Sequence, residues 1–339
     1  MAVEFFTGFE GCGNTADARS LFSHYHASHG EMYSRFYYQP TGGFDNGKCF
    51  QIGKSTTVAL NYYIARYCTP AKTIVIGKHM INFPGFAFVD EAHARGSVFY
   101  TLGQFLSVWI TDGQVRVYRG NVMIASGNVT WSTSIHHIEV KLVSHASEGY
   151  VGVKVDGTLI IDEANLNTGG ADFTGIRLPC AHSSAHQWRI DNIFIADNWQ
   201  GELKSHLILP TADDAVQFTP SAGADNYALL QTNDGDTSYV SSDVIDEQDL
   251  YEFGPDLGMF EVHAVSIVAV ARKDDVGVRN LQTVVEYDDI AYDLESFNLP
   301  TSYPSVAGSA QMQCLSEAPN AAAWSPILIN AMKAGFKVA

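Results

Sequence analysis

The chain has 339 residues, of which 37 are acidic and 20 are basic, so its formal net charge at pH 7 is −17. This charge opposes non-specific adhesion to nucleic acid or to an anionic membrane surface and argues against a DNA-binding function. With 46% hydrophobic and 12% aromatic residues, the chain is long enough for two domains of ordinary size, each with its own core.

No apolar run of the sequence approaches the roughly 20 residues that a membrane-spanning helix needs. The N-terminus, MAVEFF, lacks the basic and apolar regions of a signal peptide. We therefore expect synthesis in a cytoplasm, with neither nucleic acid nor a membrane as a partner.

The first part of the chain has the turn pattern of an antiparallel β-protein. Asp-Gly and Gly-Asn pairs at 112–113, 120–121 and 156–157 supply the positive φ angles of tight hairpin turns. Residues 16–26 are predicted to form a short helical turn. Strands are predicted at 73–77, 86–89, 105–111, 114–119, 122–125, 150–155 and 158–162.

Another strand is predicted at 138–142, where Ile138, Val140 and Leu142 alternate with polar residues. This alternation predicts one buried face and one solvated face. The residues expected on the solvated face are His137, Glu139 and Lys141.

Residues 188–199 are predicted to mark a boundary between two domains, because they end the hairpin series and lead into a region of different composition. Strict alternation would place Asn192 and Phe194 on one face of a strand and Asp191 on the other. Both faces carry apolar residues, which predicts a strand buried within a sandwich. The predicted domains are residues 1–200 and 201–339.

The second region is also rich in predicted strands, at 262–272 and 281–287. A helix at 321–329 is predicted to be confined to its first turn by Pro326. The predicted fold is all-β, with a two-sheet, jelly-roll sandwich followed by a second, smaller β-sandwich domain.

A series of short motifs, in a characteristic order along the chain, spans nearly the whole first domain. They are FFTGFE at 5–10, GKCFQI at 47–52, KTIVIGK at 72–78, VRVYRGN at 115–121, HHIEVKL at 136–142, VGVKVDG at 151–157 and RIDNIFI at 189–195. In this order they resemble the concanavalin A-like, or laminin-G-like, jelly-roll domains of tailed-bacteriophage virion proteins. The resemblance lies in the order, because any one of these hairpins is commonplace.

The second region resembles a segment that commonly follows this jelly roll in phage virion proteins. Its motifs are LILP at 207–210, FTPS at 218–221, NYAL at 226–229, DGDTSYVSS at 234–242, DLYEF at 249–253, AVARKDD at 269–275, WSPILIN at 324–330 and AGFKV at 334–338. The pairing of the two regions strengthens the resemblance to phage proteins.

The resemblance implies a non-enzymatic structural component of a tailed-phage particle: a tail or baseplate protein, a collar or head fibre, or a capsid decoration. It implies a location in the virion, other virion proteins as partners, and a role in virion assembly for residues 201–339. We expect a homo-oligomer, with a trimer favoured and with contacts mainly in residues 203–339. The alternative function is a receptor-binding adhesin that recognises a host surface glycan, and a virion-borne glycan depolymerase is a third hypothesis.

Jelly rolls host both lectins and glycanases, so the residues must decide between these functions. A retaining glycosidase needs two carboxylates about 5 Å apart, which two or four positions on one strand would provide. Glu139 has no such neighbour, and the adjacent Asp162 and Glu163 point to opposite faces. Sequence motifs of serine hydrolases, zinc proteases and phosphate-binding loops are also missing. We therefore expect no enzymatic activity and nominate no catalytic residue.

A histidine-rich run is the strongest metal candidate, because near-neighbour imidazoles can face one ion. A polar loop is the favoured interpretation, since zinc sites have a fuller ligand set. The members of the run are His24, His26, His29 and Glu31. His136 and His137 are a weaker candidate, because adjacent strand residues point to opposite faces, and no metal or cofactor is expected.

Residues 233–236, with the sequence NDGD, cluster oxygen ligands that suit calcium. The EF-hand pattern is not met, and Asp, Asn and Gly favour turns, so an acidic turn is the preferred interpretation. The same two interpretations apply to residues 45–46 and 213–214.

Aromatic side chains at loop ends could stack on sugar rings, although such residues more often belong to a core or an interface. They are Tyr37, Tyr38, Trp131 and Trp199. None of them is nominated as a binding residue.

Five cysteines at irregular spacing show neither a CxxC pair nor a zinc-finger grouping, which favours reduced, packed thiols. The alternative is that one or two pairs oxidise once a particle leaves the cell. The sequence leaves the pairing open for Cys12, Cys49, Cys68, Cys180 and Cys314.

Overall fold

The computed structural model of the protein describes thirteen stretches of the chain, which form two compact units, one up to Ser205 and one from His206 to Ala339. The stretches are 2–8, 21, 24–26, 36–39, 49–52, 63–81, 97–103, 106–111, 113–132, 134–179, 188–254, 260–303 and 311–339. The predicted role of the second region in virion assembly stays a prediction.

The first unit is built from antiparallel strands. In chain order these are β1 (Val3–Thr7), β2 (His24–His26), β3 (Phe36–Gln39), β4 (Cys49–Ile52), β5 (Tyr63–Ala71), β6 (Thr73–Ile81), β7 (Ser97–Leu102), β8 (Leu106–Thr111), β9 (Gln114–Arg119), β10 (Val122–Asn128), β11 (His136–Val143), β12 (Gly149–Val155), β13 (Thr158–Leu166), β14 (Phe173–Pro179) and β15 (Trp188–Ala196). An eight-stranded sheet has the order β13-β12-β11-β6-β15-β4-β3, with β1 paired to β15. A seven-stranded sheet has the order β10-β9-β8-β7-β14-β5-β2.

The core of the first unit lies between these two sheets. Ile76 and Val140 of the eight-stranded sheet and Val117 of the seven-stranded sheet are fully buried. The sheets also meet where the guanidinium of Arg66, on β5, lies 4.7 Å from the ring centroid of Phe5, on β1. Successive strands such as β5 and β6, or β14 and β15, belong to opposite sheets. This two-sheet arrangement confirms the predicted all-β, jelly-roll sandwich.

The predicted hairpins are present. Strand β8 pairs with β9, β9 with β10 and β12 with β13, and Asp156 and Gly157 adopt φ angles of 50° and 78° between the last two strands. The helical turn predicted at 16–26 is wrong for His24–His26, which pairs with β5 as a strand. The strand predicted at 86–89 lies outside the described residues.

Strand β15 departs from strict alternation because it contains a bulge. Asp191 pairs with His79 and Phe194 pairs with Gly77, two positions apart on β6, so the intervening stretch of β15 has one extra residue. Asn192 adopts a positive φ of 47° within the bulge. Asp191 and Phe194 therefore lie on the same face of the sheet, and their predicted placement on opposite faces is wrong.

Strand β11 is buried on both faces, which corrects the prediction of a solvated face. His137 and Glu139 have relative exposures of 4% and 0%. Residues 197–205, which we call the covering segment, follow β15 and lie over this outer face, with hydrogen bonds to it from Gln200 and Gly201. The burial comes from a segment that is distant in sequence, so the alternation within β11 could not reveal it.

The second unit is a smaller β-structure. Its strands are β16 (Pro210–Ala215), β17 (Thr219–Pro220), β18 (Val240–Ser241), β19 (Gln248–Phe253), β20 (Val265–Ala269), β21 (Asn280–Tyr287), β22 (Ile290–Asn298), β23 (Gln311–Leu315) and β24 (Lys333–Val338). They form a five-stranded sheet, β16-β19-β24-β21-β22, and the ribbons β17-β18 and β20-β23. In its core, Val285 of the sheet and Trp324 belong to one cluster of buried residues. Ile267 of the β20-β23 ribbon packs against this cluster.

Two short helices accompany these strands, α1 (Asn226–Leu229) and α2 (Pro326–Ala331). The prediction that Pro326 limits a helix at 321–329 is wrong, because Pro326 occupies the first turn of α2, where its missing N–H is not needed. Ser325 caps the helix by accepting a hydrogen bond from the backbone of Leu328. In the described part of the chain, no helix has the length and apolar character to cross a bilayer.

Candidate functional site

The outer face of the seven-stranded sheet carries polar and aromatic side chains in two adjacent strands. In β8, Leu106, Val108 and Ile110 are buried in the core, which places Ser107 and Trp109 on the opposite, outer face. Trp109 is only partly buried there.

The same alternation operates in β9. Val115 and Val117 are fully buried, and the partly buried side chains between and beside them belong to the outer face. These are Gln114, Arg116 and Tyr118. The register pairs Trp109 with Arg116 and Ser107 with Tyr118, so both strands contribute to one patch.

Two aromatic rings form the centre of this patch. The ring centroids of Trp109 and Tyr118 lie 5.3 Å apart, with an interplanar angle of 53°. The indole Nε1 of Trp109 donates a hydrogen bond of 2.7 Å to Oγ of Ser107, which has an exposure of only 4%. Both contacts fix the orientation of the indole on the sheet, so it forms a rigid apolar platform.

A row of polar groups lies beside the rings. Nε of Arg116 donates to Oε1 of Gln114 at 3.0 Å, and Nε2 of Gln114 donates to Oδ1 of Asn128 at 2.9 Å. These two hydrogen bonds orient the guanidinium of Arg116 and the side-chain amides of Gln114 and Asn128. Trp109 is the cross-strand neighbour of Arg116, so these groups lie next to its ring. We define the aromatic face as Ser107, Trp109, Gln114, Arg116, Tyr118 and Asn128.

The aromatic face combines two properties that recognition of a polyhydroxylated ligand requires. Its rings offer apolar area to the C–H surface of a sugar, and its amide and guanidinium groups offer donors and acceptors for hydroxyls. The strands hold both sets in place, which lowers the entropy lost when a ligand binds.

The outer face of the eight-stranded sheet is organised differently, because the covering segment occupies it. Oε1 of Glu139 accepts hydrogen bonds from the backbone N–H groups of Gln200, at 2.6 Å, and Gly201, at 3.2 Å. Nζ of Lys141 donates to Oδ1 of Asn198 at 2.8 Å. These groups serve the fold and are not directed at a ligand.

Trp199, one of the aromatic residues weighed for sugar stacking, lies in the covering segment. A Cβ atom added to Gly152 would lie 2.8 Å from Cζ2 of the Trp199 ring, so the ring is in close contact with this glycine. Nζ of Lys154 lies 4.3 Å from the ring centroid. Trp199 therefore packs against the eight-stranded sheet.

Trp131 makes an edge-to-face contact with His136, at 5.4 Å between the ring centroids. Tyr37 and Tyr38 lie in β3, where they pair with Gln51 and Phe50. The structure thus brings none of the four weighed aromatic residues to the aromatic face.

Two histidines lie beneath the covering segment. Burial lowers the pKa of His137 to about 4, with the neighbouring His79 as a second cause. Burial also lowers the pKa of His79, while a contact of 3.2 Å between its Nε2 and Oε1 of Glu202 opposes this shift. At neutral pH both imidazoles are therefore neutral.

Two carboxylates of this sheet, those of Glu139 and Asp162, are engaged by neighbouring groups. Burial raises the pKa of Glu139, although the backbone donors of the covering segment oppose the shift. Asp162 accepts a hydrogen bond of 2.9 Å from the hydroxyl of Tyr150, and burial raises the pKa of Tyr150 to about 12, with Asp162 as a further cause. Each carboxylate thus stabilises a local contact.

The candidate metal ligands are only partly within the described residues. His24 and His26 lie in β2, whereas His29 and Glu31 lie outside the described ranges. Nδ1 of His136 contacts Oδ2 of Asp156 at 2.7 Å. Among the residues that the structure describes, no group of three or more His, Cys, Asp or Glu is placed to hold a metal ion.

The acidic turn at 233–236 uses its carboxylates for internal contacts. Asp234 accepts hydrogen bonds from the backbone and hydroxyl of Ser238, and Asp236 forms an ion pair of 2.7 Å with Arg272. Residues 213–214, which were also weighed as a calcium site, likewise make internal contacts. Asp213 accepts hydrogen bonds from the backbone of α1, and Asp214 forms an ion pair with Lys333. Residues 45–46 lie outside the described part.

Of the cysteines, Cys49 is buried in β4 and Cys314 lies in β23. Cys68 is a free thiol in β5, and burial raises its pKa to about 12. Cys12 and Cys180 lie outside the described residues, so the predicted redox state of the five thiols stays a prediction.

Comparison with known proteins yields similarities of fold. No protein-family model matches the sequence, and no curated protein matches it significantly. Among solved structures, a GH131 β-glucanase catalytic domain from Podospora anserina aligns with a TM-score of 0.35 and 10% identity over 59% of this chain and 98% of that one. A protein with a galectin-like fold from Bacillus subtilis aligns with a TM-score of 0.32 and 13% identity over 58% and 96% of the two chains.

A bifunctional GH43-CE protein from Bacteroides eggerthii also aligns, with a TM-score of 0.33 and 10% identity over 44% of this chain. The chain spans only 22% of the length of that protein. Because these TM-scores lie below 0.5, the function of this chain is inferred from its own residues.

Proposed function

We propose that the chain is a non-enzymatic component of a tailed-phage particle that displays a lectin-like domain, and that the aromatic face of this domain binds a host surface glycan. The sequence resemblance supports the virion role. The contact between Trp109 and Tyr118 on the outer face supports glycan binding, since it leaves a fixed apolar platform beside polar groups. The adhesin hypothesis is thereby preferred over a purely structural role.

The two sheets differ in a way that favours this location for the site. The covering segment occupies the centre of the outer face of the eight-stranded sheet, around Glu139 and His79. The aromatic face instead has partly exposed side chains on the seven-stranded sheet. A ligand of several sugar rings needs such an accessible, extended surface.

The non-enzymatic part of the proposal rests on the carboxylates. Glu139 binds two backbone N–H groups and Asp162 binds Tyr150, so each has a structural task. A glycan hydrolase needs a carboxyl pair that faces the scissile bond. The strands that carry the aromatic face, β8 and β9, contain no acidic residue.

Glycan binding is tested by applying the full chain to an oligosaccharide array and measuring the best ligand by calorimetry. Trp109→Ala should weaken binding by about tenfold or more, because it removes the stacking surface. Tyr239→Ala, which removes an exposed aromatic residue of the second unit, is the matched control and should bind as the parent does. Equal binding by the parent and Trp109→Ala would reject the aromatic face as the site.

The virion role is tested separately by immunogold labelling of purified particles with an antibody against residues 1–200. Label at the tail tip or on outer fibres supports the adhesin. Label on the head or neck supports decoration or assembly, and particles without label contradict a virion role.

A further inference from the structure

The two units of the chain differ sharply in charge. Residues 1–205 contain 17 acidic and 15 basic side chains, for a net charge of −2, whereas residues 206–339 contain 20 acidic and 5 basic side chains, for a net charge of −15. Nearly all of the net charge of −17 therefore belongs to the second unit. This charge attracts the second unit to positively charged surfaces.

The basic side chains of the second unit are used within it. Four of the five form ion pairs with carboxylates of the same unit: Arg272 with Asp236, Arg279 with Asp275, Lys333 with Asp214 and Glu286, and Lys337 with Asp293. The fifth, Lys273, donates a hydrogen bond to the backbone carbonyl of Gly277. These contacts leave a surplus of carboxylates that the unit does not neutralise.

Two loops lie at one end of the five-stranded sheet. Residues 242–247 precede β19 and residues 273–279 precede β21. Both strands pair with β24, which lies between them. The N–H of Asp246 donates to the carbonyl of Val338 at 3.0 Å, so the first loop continues the sheet beyond β19. The two loops are therefore about two strand separations apart, or roughly 10 Å.

Each loop presents apolar side chains to solvent. They are Val244, Ile245, Val276 and Val278, with relative exposures of 50%, 70%, 101% and 73%. Single exposed apolar residues are common on protein surfaces, whereas a group of four at one end of a sheet marks an interaction site. Such side chains add nothing to solubility, so solubility does not explain this part of the surface.

Hydrogen bonds within each loop hold these side chains in place. In the first loop, Oγ of Ser242 donates to Oε2 of Glu247 at 2.6 Å. In the second loop, Oδ1 of Asp275 accepts from the N–H of Gly277 at 3.2 Å, and its Oδ2 pairs with Arg279 at 2.8 Å. A surface that its own contacts already order loses little conformational entropy when a partner binds.

Carboxylates border the apolar side chains. Asp243 and Asp246 flank the apolar pair of the first loop, Asp274 precedes the valines of the second loop, and all three residues are exposed. The basic side chains of the unit have the partners named above, so these carboxylates face solvent as negative charge. We define the docking surface as Asp243, Val244, Ile245, Asp246, Asp274, Val276 and Val278.

We propose that the docking surface binds a different protein of the particle, through a patch on that protein in which lysines or arginines surround apolar residues. The apolar side chains of the docking surface supply area that is buried on binding, and its carboxylates select and orient a basic partner. This inference rests on the proposed virion role and adds the chemistry of the partner to it.

A second copy of this chain is disfavoured as the occupant of the docking surface. A symmetric contact would bring Asp243 and Asp246 of one copy close to the same carboxylates of the other, between units that each carry a charge of −15. The homo-oligomer contacts expected in residues 203–339 therefore lie outside the docking surface.

Carboxyl footprinting tests whether the docking surface is covered in the particle. A carbodiimide couples glycine ethyl ester to exposed carboxylates, and mass spectrometry compares the labelling of the isolated full chain with that of purified particles. Asp243, Asp246 and Asp274 should label in the isolated chain and be protected at least fivefold in particles. Asp225, an exposed carboxylate elsewhere in the unit, is the matched control and should label equally in both.

Peptide probes test the chemistry of the partner on the full chain. A twelve-residue peptide that repeats Lys-Val-Lys-Ser combines positive charge with apolar side chains. Replacing its valines by serine keeps the charge alone, and replacing its lysines by glutamate reverses the charge. The first peptide should bind at least tenfold tighter than either of the others, with an affinity that falls as the salt concentration rises.

Variants assign this binding to the docking surface. Ile245→Ser and Val278→Ser should each lower the affinity for the first peptide about fivefold, and Asp243→Asn combined with Asp246→Asn should lower it about tenfold. Ile327→Ser, at an exposed apolar residue of α2, is the matched control and should bind as the parent does. Thermal melts of all the variants distinguish loss of binding from loss of fold.

The outcomes separate this proposal from the virion role. Particles that contain the chain but label its docking surface as fully as the isolated chain does would overturn the docking and leave the virion role standing. Particles that lack the chain overturn both. Protection of the docking surface in the isolated oligomer would identify a second copy as the occupant, and equal affinity for the three peptides would overturn the assignment of a basic, apolar partner.

Discussion

The imidazole rings of His79 and His137 lie side by side on neighbouring strands, with their centroids 5.0 Å apart and both side chains buried. The register pairs the two residues directly, so the sheet holds them together. The groups around them include Glu202 and Lys204 of the covering segment, with Asp156 and Lys154 on the neighbouring turn and strand. Two positive charges at this separation would repel each other in an environment of low polarity.

This relationship predicts that acid destabilises the first unit. The pKa of His137 falls from an ordinary value of 6.5 to about 4, so the unfolded chain binds the proton more readily than the folded chain. Stability is therefore fully present above pH 6.5 and is lost as the pH falls toward 4, by roughly 3 kcal/mol for this residue alone. The raised pKa of Glu139 acts in the opposite direction, which reduces the net loss.

Hydrogen exchange of β6 and β11, measured between pH 7 and pH 4 and corrected for the intrinsic rate, checks the prediction. His137→Gln should weaken the loss of protection in acid, and His263→Gln in the second unit should leave it as in the parent. An identical pH dependence in the parent and His137→Gln would contradict the assignment to this residue.

Glu139 is predicted to hold the covering segment on the sheet. Glu139→Ala leaves the N–H groups of Gln200 and Gly201 without their acceptor, which should cost about 2–4 kcal/mol in the free energy of unfolding. Glu139→Gln retains an oxygen acceptor, so its free energy of unfolding should fall by less. Limited proteolysis should cut Glu139→Ala fastest within residues 197–205. A cleavage rate equal to that of the parent would contradict the prediction, because other contacts would then hold the covering segment in place.

Gly77 is predicted to tolerate no side chain. A Cβ at this position would lie 2.1 Å from Cε1 and Cζ of Phe194, whose ring is fully buried. Gly77→Ala should therefore lower stability by about 1–3 kcal/mol or more. Gly170→Ala is the control, because a Cβ there meets no atom within 4 Å. Chemical denaturation of both variants measures the difference, and equal midpoints would count against the packing argument.

Asp249 is predicted to be the main polar anchor of the second unit. Its Oδ1 accepts from the backbone of Gln217 and Phe218, and its Oδ2 accepts from Asn226 and from the hydroxyl of Tyr251. Asp249→Ala would leave these donors without an acceptor in a buried site and should cost about 3–5 kcal/mol.

Hydrogen exchange of β19 and β24 reports this loss within the second unit. Asp243→Ala, at an exposed position of the same unit, is the control and should retain the protection of the parent. Full protection of β19 in Asp249→Ala would contradict the anchor.

The full chain is predicted to form a defined homo-oligomer, with a trimer favoured and with contacts mainly in residues 203–339. Sedimentation equilibrium on the purified chain should show a single species larger than a monomer at micromolar concentration. Cross-linking followed by mass spectrometry should place the intermolecular links in that range. A chain that stays monomeric at high micromolar concentration would refute the expectation.

Much of the fold follows from local sequence. The hairpin of β12 and β13 is predicted because Asp156 and Gly157 adopt positive φ angles at low cost, and the flanking strands alternate. The aromatic face also has a local signal, since Trp109 and Tyr118 occupy outward positions of the hairpin formed by β8 and β9. Sequence reasoning directed at loop ends missed it, because the two rings lie within strands.

What the sequence by itself determined is the all-β class, the tight turns and the alternation of most strands, since these depend on residues a few positions apart. The tertiary structure alone decided which outer face is covered. Glu139 and His137 are buried by a segment some 60 residues away in sequence, and the bulge at Asn192 reverses the faces of β15. Contacts between distant segments depend on chain topology, which no local pattern encodes.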